Sequence, residues 1–89
     1  MAWTIEFDRL ARRNVQKLDQ QTRRRIRSFL YERLAPLDDP RQLGEALQGS
    51  KLGNFWRYRI GDYRIICDIR DQQLVVLVVE IGHRREIYR

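Results

Sequence analysis

Residues 55–81 read FWRYRIGDYRIICDIRDQQLVVLVVEI, and this stretch decides the fold. It contains three runs that are rich in β-branched and aromatic residues: FWRYRI, YRIICDI and QLVVLVVEI. Short polar turns at residues 61–62 and 70–72 separate these runs, as in strands joined by hairpins. The last run is apolar on both faces between Leu74 and Val79, which is typical of a central strand. The stretch therefore predicts an antiparallel meander.

The residues before the meander predict one more strand and a helical hairpin. Ala2 to Phe7 alternates apolar and polar side chains, and Asp8 can cap a helix over Arg9–Leu18. Asp19 or Thr22 begins a second helix, which ends before Pro36. The predicted apolar stripes are Leu10, Ala11, Val15 and Leu18 in the first helix, and Ile26, Phe29, Leu30 and Leu34 in the second.

Residues 36–54 contain two prolines and three glycines without a sustained period, which predicts a long connection with one short turn of helix. The order is then β-α-α-β-β-β. We expect an α+β fold in which the helical hairpin packs on one face of a small antiparallel, mainly four-stranded sheet. A chain of 89 residues has room for one core, so we expect a single domain over residues 1–89.

Charge is the most informative bulk property. The net charge is +6, and the 18 basic residues are two lysines, Lys17 and Lys51, and sixteen arginines. A guanidinium can donate two parallel hydrogen bonds to one phosphate. The excess of arginine over lysine therefore predicts a polyanionic partner, with nucleic acid as the first candidate. GC-rich coding is an alternative origin of the same bias.

Several function classes are not supported by the sequence. No apolar run reaches membrane-spanning length, and the N-terminus lacks the layout of a secretion signal, so we expect a cytoplasmic protein without a membrane partner. Cys67, the single cysteine, is expected to be a buried apolar side chain. Neither a metal-ligand cluster nor a glycine-rich nucleotide loop is visible, so no cofactor is expected.

The candidate chemistry lies in the meander and in the ending IGHRREIYR. The period of two places Arg57 and Arg59 on one strand face, and Arg64 can lie near Arg59 across the turn. The last strand brings His83, Arg84, Arg85 and Tyr88 beside the same hairpin. Converging arginines repel one another, so this surface predicts a phosphate ligand. The alternative is that these side chains are solvated, with Arg64 paired to Asp62 or Asp68.

The sequence resembles the RelE/ParE superfamily of bacterial toxins across nearly its whole length. The resemblance rests on WTIEFDRLARRNVQKLD, LQGSKLGNFWRYRIGDYRIICDI and VVEIGHRREIYR. It implies a four-stranded antiparallel sheet with two helices. It also implies a toxin that is a ribosome-dependent mRNA endonuclease cutting the A-site codon, or a ParE-type poison of DNA gyrase. A non-catalytic basic nucleic-acid-binding domain is a third reading of the residues.

The resemblance places the catalytic set of the nuclease branch on Arg57, Arg59, Arg64, Arg84 and Tyr88. Arginines stand where lysines are usual on the second strand, and arginine is a poor base. The proton of the RNA 2′-hydroxyl must therefore go elsewhere, with His83, Glu45 and Tyr88 as candidates. The expected partners are the ribosome, mRNA and an acidic, RelB-like antitoxin, in a hetero-tetramer with the toxin.

Overall fold

The N-terminal half forms one strand and two consecutive helices. A computed structural model of the chain describes residues 2–47 and 55–87. Strand β1 (Thr4–Phe7) leads into helix α1 (Arg9–Gln16), whose first backbone N–H donates to the Asp8 carboxylate at 2.8 Å. Helix α2 (Gln20–Ser28) is capped by Asp19, which accepts from the N–H of Thr22 at 3.3 Å. Both helix starts are thus fixed by N-cap carboxylates, as the sequence predicts.

Helix α2 continues directly into a π-helical segment, Phe29–Leu34, in which the N–H of Ala35 donates to the carbonyl of Leu30 at 2.9 Å. The remaining elements are a 3₁₀ turn (Pro40–Leu43), β2 (Glu45–Ala46), β3 (Phe55–Ile60), β4 (Tyr63–Arg70), a 3₁₀ turn (Asp71–Gln73), β5 (Val75–His83) and α3 (Arg84–Ile87). The strands form one sheet in the order β1-β5-β4-β3-β2. All neighbours are antiparallel except β1, which is parallel to β5.

The predicted α+β fold is confirmed, including the antiparallel meander and the interior position of β5, whereas the parallel pairing of β1 makes the sheet mixed and not wholly antiparallel. The structure adds a fifth strand, β2, inside the segment that the sequence predicts as a connection. Two residues are too few for a periodic pattern, and only the pairing with β3 reveals this strand.

The core lies between the helices and one face of the sheet. Its fully buried members include Ala11, Leu30, Leu34, Tyr58 and Val76. Leu10, which the sequence places on the buried stripe of α1, is instead 47% exposed. Ala11, Val15 and Leu18 follow the spacing of one helix face, whereas Leu10 is rotated by about 100° from its neighbour Ala11. Within the described residues, no helix has the length and apolar character needed to cross a membrane.

Tyr58 of β3 contacts the segment that precedes β2, at Pro40 and Gly44. Its hydroxyl is buried and donates to the carbonyl of Pro40 at 2.7 Å. Gly44 passes so close that a Cβ placed on it would lie 2.8 Å from Cε1 of Tyr58. This close approach sets the position of β2, and β2 carries Glu45.

Candidate active site

Four of the candidate residues lie on the sheet face opposite the helices. Arg59 is paired directly with Arg64 across the β3–β4 hairpin, Arg57 with Ile66, and Glu45 with Arg57. Residues that are directly opposite in adjacent strands project to the same side of a sheet. We call this surface, defined by Glu45, Arg57, Arg59 and Arg64, the arginine face. The structure thus brings together three of the predicted arginines and one candidate base.

The carboxylate of Glu45 lies between two of these arginines. Its Oε2 is 2.9 Å from Nη2 of Arg57, and its Oε1 is 3.6 Å from Nε of Arg59. The side chains of Glu45 and Arg59 are 56% and 60% exposed, whereas that of Arg57 is 17% exposed. The Glu45–Arg59 pair, in which both side chains are more than half exposed, contributes only about 0–1 kcal/mol, so a phosphate can compete for the Arg59 guanidinium.

Arg64 is held in place by the β3–β4 turn. It is 8% exposed, and its Nη1 donates to the carbonyls of Gly61 at 3.2 Å and Tyr63 at 3.0 Å. Gly61 has a φ of 58°, a left-handed conformation that glycine adopts without strain. The turn therefore orients the Arg64 guanidinium before any ligand binds.

His83 lies on the other side of the sheet. It is paired with Tyr63, and their rings contact edge to face with centroids 5.6 Å apart. Tyr63 belongs to the face that packs against the helices. Arg64 is paired with Gly82. On β5, Gly82 therefore lies on the same side of the sheet as the arginine face, and His83 does not. The Nδ1 atom of His83 accepts a 3.3 Å bond from the N–H of Arg85.

A β-bulge explains the side on which His83 lies. Cys67 is paired with Val78, but the preceding Ile66 is paired with Glu80, so Val79 is an extra residue in β5. One extra residue turns every following side chain to the opposite face. Val76, Val78, Ile81 and His83 therefore share the helix side, although uninterrupted alternation from Val78 would place His83 on the arginine face.

The ending of the chain is attached to the β3–β4 turn. Arg84, the first residue of α3, donates its N–H to the carbonyl of Asp62 at 2.8 Å, and its side chain is exposed. The start of α3 therefore adjoins the turn that holds Arg64. Tyr88 lies outside the described residues.

Cys67 has the environment of a core residue. It is fully buried, and burial raises the pKa of its thiol far above the usual range, so the thiolate nucleophile is not formed near neutral pH. Across the part of the chain that the structure describes, no three His, Cys, Asp or Glu side chains cluster in a way that could hold a metal ion.

The residues 5–88 match the family model of the ParE toxin of the type II toxin–antitoxin system parDE. This chain belongs to the ParE toxin family, within the RelE/ParE superfamily. The toxin is 30% identical over 89 residues to Toxin RelG of Mycobacterium tuberculosis, with 100% of this chain and 99% of RelG covered. It is 29% identical over 90 residues to the mRNA interferase toxin RelE of Escherichia coli, covering 99% and 92% of the two chains.

Solved structures show the same fold. The toxin superimposes on a chain of the toxin–antitoxin complex RelBE2 of M. tuberculosis with a TM-score of 0.82 and 26% identity, covering 94% of this chain and 93% of that one. Isolated RelE of E. coli matches with a TM-score of 0.71 over 92% of this chain and 84% of RelE. At 24% identity the second match shows the fold alone.

Proposed function

We propose that this toxin is a ribosome-dependent mRNA endonuclease that cuts the codon in the A site. The observation that carries this proposal is the convergence of Arg57, Arg59 and Arg64 with the carboxylate of Glu45 on the arginine face. A basic nucleic-acid-binding domain needs the arginines, but it does not need a carboxylate among them, since an acidic group repels phosphate. The toxin would act in the cytoplasm, where its substrate is translated.

The nucleophile in this reaction is the RNA 2′-hydroxyl, which attacks the adjacent phosphorus and expels the 5′-oxygen of the next nucleotide. The products are a 2′,3′-cyclic phosphate and a 5′-hydroxyl, and Arg84 or His83 would supply the proton that the departing 5′-oxygen takes up. Negative charge develops on the phosphoryl oxygens, and a guanidinium that remains protonated is suited to stabilise it. Arg64 takes this role because the turn already orients it, and Arg84 assists from the tail. Arg57 and Arg59 bind the non-bridging oxygens.

Glu45 is the candidate general base that the geometry favours. Its carboxylate is within 2.9 Å of Arg57 and 3.6 Å of Arg59, so a phosphate that binds these arginines arrives beside it. Binding of the phosphate displaces Glu45 from its ion pairs, and the displaced carboxylate then accepts the proton of the 2′-hydroxyl. His83 is the second candidate base. Because it lies on the helix side, a substrate on the arginine face would have to extend past the edge of the sheet to reach it. Tyr88 would orient the 2′-hydroxyl or stack on a base.

The requirement for the ribosome follows from the exposure of this surface. More than half of the Glu45 and Arg59 side chains is accessible to water, so among the residues that the structure describes the arginine face does not enclose a nucleotide. A ribosome that fixes the message in the A site supplies the missing orientation, which is worth many orders of magnitude in rate.

The test is cleavage of a defined message on programmed ribosomes by the wild type, Arg57→Ala and Arg64→Ala. A control variant, Arg13→Ala, removes the same charge from the exposed side of α1. A-site cuts that end in a cyclic or 3′-phosphate, lost in both site variants and retained in the control, support the proposal. Absence of any cut by the wild type rejects it.

A second function, poisoning of DNA gyrase, is favoured by one observation: the family model that matches residues 5–88 is that of ParE toxins. A gyrase poison needs a docking surface and no base, so Glu45→Gln would leave its effect intact. Stabilised gyrase–DNA cleavage complexes in the presence of wild-type toxin, without message cleavage, would establish this function instead.

The proposed partner is an acidic, RelB-like antitoxin, in a hetero-tetramer with the toxin. RelBE2 of M. tuberculosis is itself a toxin–antitoxin complex. A groove of about 700 Å³ lies between β1, α1 and α2, with apolar walls that include Phe7, Val15 and Tyr31. Arg12, Arg23 and Arg27 border the same groove, which suits an amphipathic segment with acidic side chains.

The test of this partner is binding of the cognate antitoxin to the double variant Arg12→Glu/Arg27→Glu, with Arg9→Glu/Arg13→Glu as a control outside the groove. We expect the groove variant to lose at least about tenfold in affinity, because its two reversed charges repel an acidic segment. Equal loss in both variants would mean that the antitoxin does not use the groove.

A further inference from the structure

A second cavity, of about 510 Å³, lies between α2 and the β3–β4 turn. Arg24 and Arg25 of α2, Arg33 of the π-helical segment and Arg59 of β3 border it, and Ser28 adds a hydroxyl. We call this cavity the arginine pocket. Its volume lies in the range of small-ligand sites, so the phosphate and sugar of one nucleotide fit within it.

Within the described residues, the charges around the arginine pocket are only partly balanced: Arg59 lies 3.6 Å from the Glu45 carboxylate. Among the residues that line it, one is acidic, Glu32. Within the described part of the chain, the guanidinium groups of Arg24, Arg25 and Arg33 form no ion pair with a carboxylate. Like charges on one helix destabilise it, and a bound anion relieves this repulsion. The pocket is therefore suited to an anionic ligand.

The arginine pocket meets the arginine face at Gly61. A Cβ placed on Gly61 would lie 3.2 Å from Nη1 of Arg25, so this guanidinium packs against the turn from the helix side. Nη1 of Arg64 donates to the carbonyl of the same glycine at 3.2 Å. Arg25 and Arg64 thus flank one residue of the turn, and anions bound to each would be neighbours.

We propose that the arginine pocket binds a backbone phosphate of RNA close to the cut. This inference rests on the proposed function and extends it by a second contact with RNA. The group that binds is a phosphodiester. It belongs either to the message, next to the cut codon, or to ribosomal RNA beside the A site. Arg24 and Arg25 supply the forked donors, and Ser28 supplies a further hydroxyl donor.

An acidic peptide is the competing ligand, and two features favour RNA. An RNA strand carries a phosphate at every nucleotide, so a strand bound on the arginine face presents further phosphates to an adjoining pocket. The groove at β1 offers broad apolar walls for an amphipathic peptide, whereas four of the nine residues that line the arginine pocket are arginines.

The first test measures binding of a short fluorescent RNA with 2′-O-methyl riboses, which cannot be cut, by anisotropy over a series of salt concentrations. The pocket variant is Arg24→Ala/Arg25→Ala, and Arg9→Ala/Arg13→Ala removes two equally exposed arginines from α1 as the control. Each lost phosphate contact lowers the slope of log affinity against log salt by about 0.7. We expect a decrease of roughly 0.7–1.4 in the pocket variant, clearly larger than in the control.

The source of the phosphate is decided by repeating the measurement with small ribosomal subunits that carry no message. A loss restricted to the subunits identifies ribosomal RNA, and a loss with the short RNA identifies the message; both support the proposal. Equal behaviour of the pocket and control variants on both targets overturns it. An oligoglutamate peptide that loses affinity for the pocket variant, while RNA does not, also overturns it.

Cleavage on programmed ribosomes separates this inference from the proposed function. If the wild type cuts the message, we expect the pocket variant to raise KM while kcat stays near the wild-type value, because the pocket contacts a phosphate that does not react. If the wild type cuts nothing, the proposed nuclease is wrong. The salt dependence of binding still decides whether the pocket holds RNA.

Discussion

Glu45 and Arg57 are paired twice, once through the register of β2 and β3 and once through a 2.9 Å bond between Oε2 and Nη2. The backbone pairing brings the carboxylate to the arginine face, and the side-chain bond holds it beside the guanidinium groups of Arg57 and Arg59. A carboxylate in that position is itself a ligand of the arginines in the toxin alone.

Replacement of Glu45 by Gln tests its role as the base. The amide keeps the size of the side chain but cannot take a proton, so we expect the single-turnover cleavage rate to fall by roughly 10²–10⁴-fold. The unfolding midpoint should hardly change, because the Glu45 carboxylate is 56% exposed. Glu6→Gln, on β1, is the matched control. A wild-type rate for Glu45→Gln would remove Glu45 from the mechanism.

His83→Ala should have a smaller effect. Because the bulge at Val79 places His83 on the helix side of the sheet, we expect the cleavage rate to fall by less than about tenfold, with the shape of the pH–rate profile unchanged. A decrease of more than 10²-fold together with loss of one limb of that profile would instead identify His83 as the base or the acid.

Asn14 connects α1 to the strand that carries the bulge. Its Oδ1 accepts a 2.9 Å bond from the backbone N–H of Ile81, which is 2% exposed. Asn14→Ala leaves this N–H without its partner, and we expect a loss of about 1–3 kcal/mol in the free energy of unfolding in urea. Gln16→Ala, on the same helix and exposed, should change it by less than about 0.5 kcal/mol.

Gly44→Ala should destabilise the attachment of β2. The added methyl group would lie 2.8 Å from Cε1 of Tyr58 and 3.2 Å from the carbonyl oxygen of Arg57, and the fully buried ring has little room to move. We expect a cost of about 1–3 kcal/mol in thermal or urea unfolding. Leu43→Ala, at a neighbouring and 40% exposed position, serves as the control. A Gly44→Ala variant as stable as the wild type would contradict this packing.

Asp71 gives the stability a dependence on acid pH. The guanidinium of Arg41, hydrogen-bonded to both carboxylate oxygens at 3.0 and 2.6 Å, holds the pKa of Asp71 below its usual range. Because the folded-state pKa is lowered, the pair stabilises the toxin above the unfolded-state pKa of about 3.9, and this contribution is lost as the pH falls through the folded-state pKa.

We therefore expect Asp71→Asn to lower the urea midpoint at pH 5–7 and to approach the wild type as the pH falls below about 4. In an Arg41→Ala background the same substitution should have little effect, which makes a double-mutant cycle the measurement. A constant difference between wild type and Asp71→Asn at every pH would show that the pair does not titrate.

The sequence by itself determined the first strand, the two long helices and the three strands of the meander, and the order in which they occur. Asp8 and Asp19 indicate where the two helices begin, because a short acidic side chain can accept hydrogen bonds from the first N–H groups of a helix. The apolar run of β5 predicts an interior strand, and β5 lies between β1 and β4. The period of two in FWRYRI placed Arg57 and Arg59 on one face, and the short turn placed Arg64 opposite Arg59. These are local properties, set by residues within a few positions of each other.

Tertiary structure decided which of the other candidates join those arginines. Glu45 reaches them through a two-residue strand that exists only because β3 lies beside it. His83 leaves them because a single extra residue in β5 reverses the alternation, and a bulge depends on how two strands pair, not on either strand alone. Strand register and bulges are set by contacts between distant parts of the chain, so no pattern within one segment could specify them.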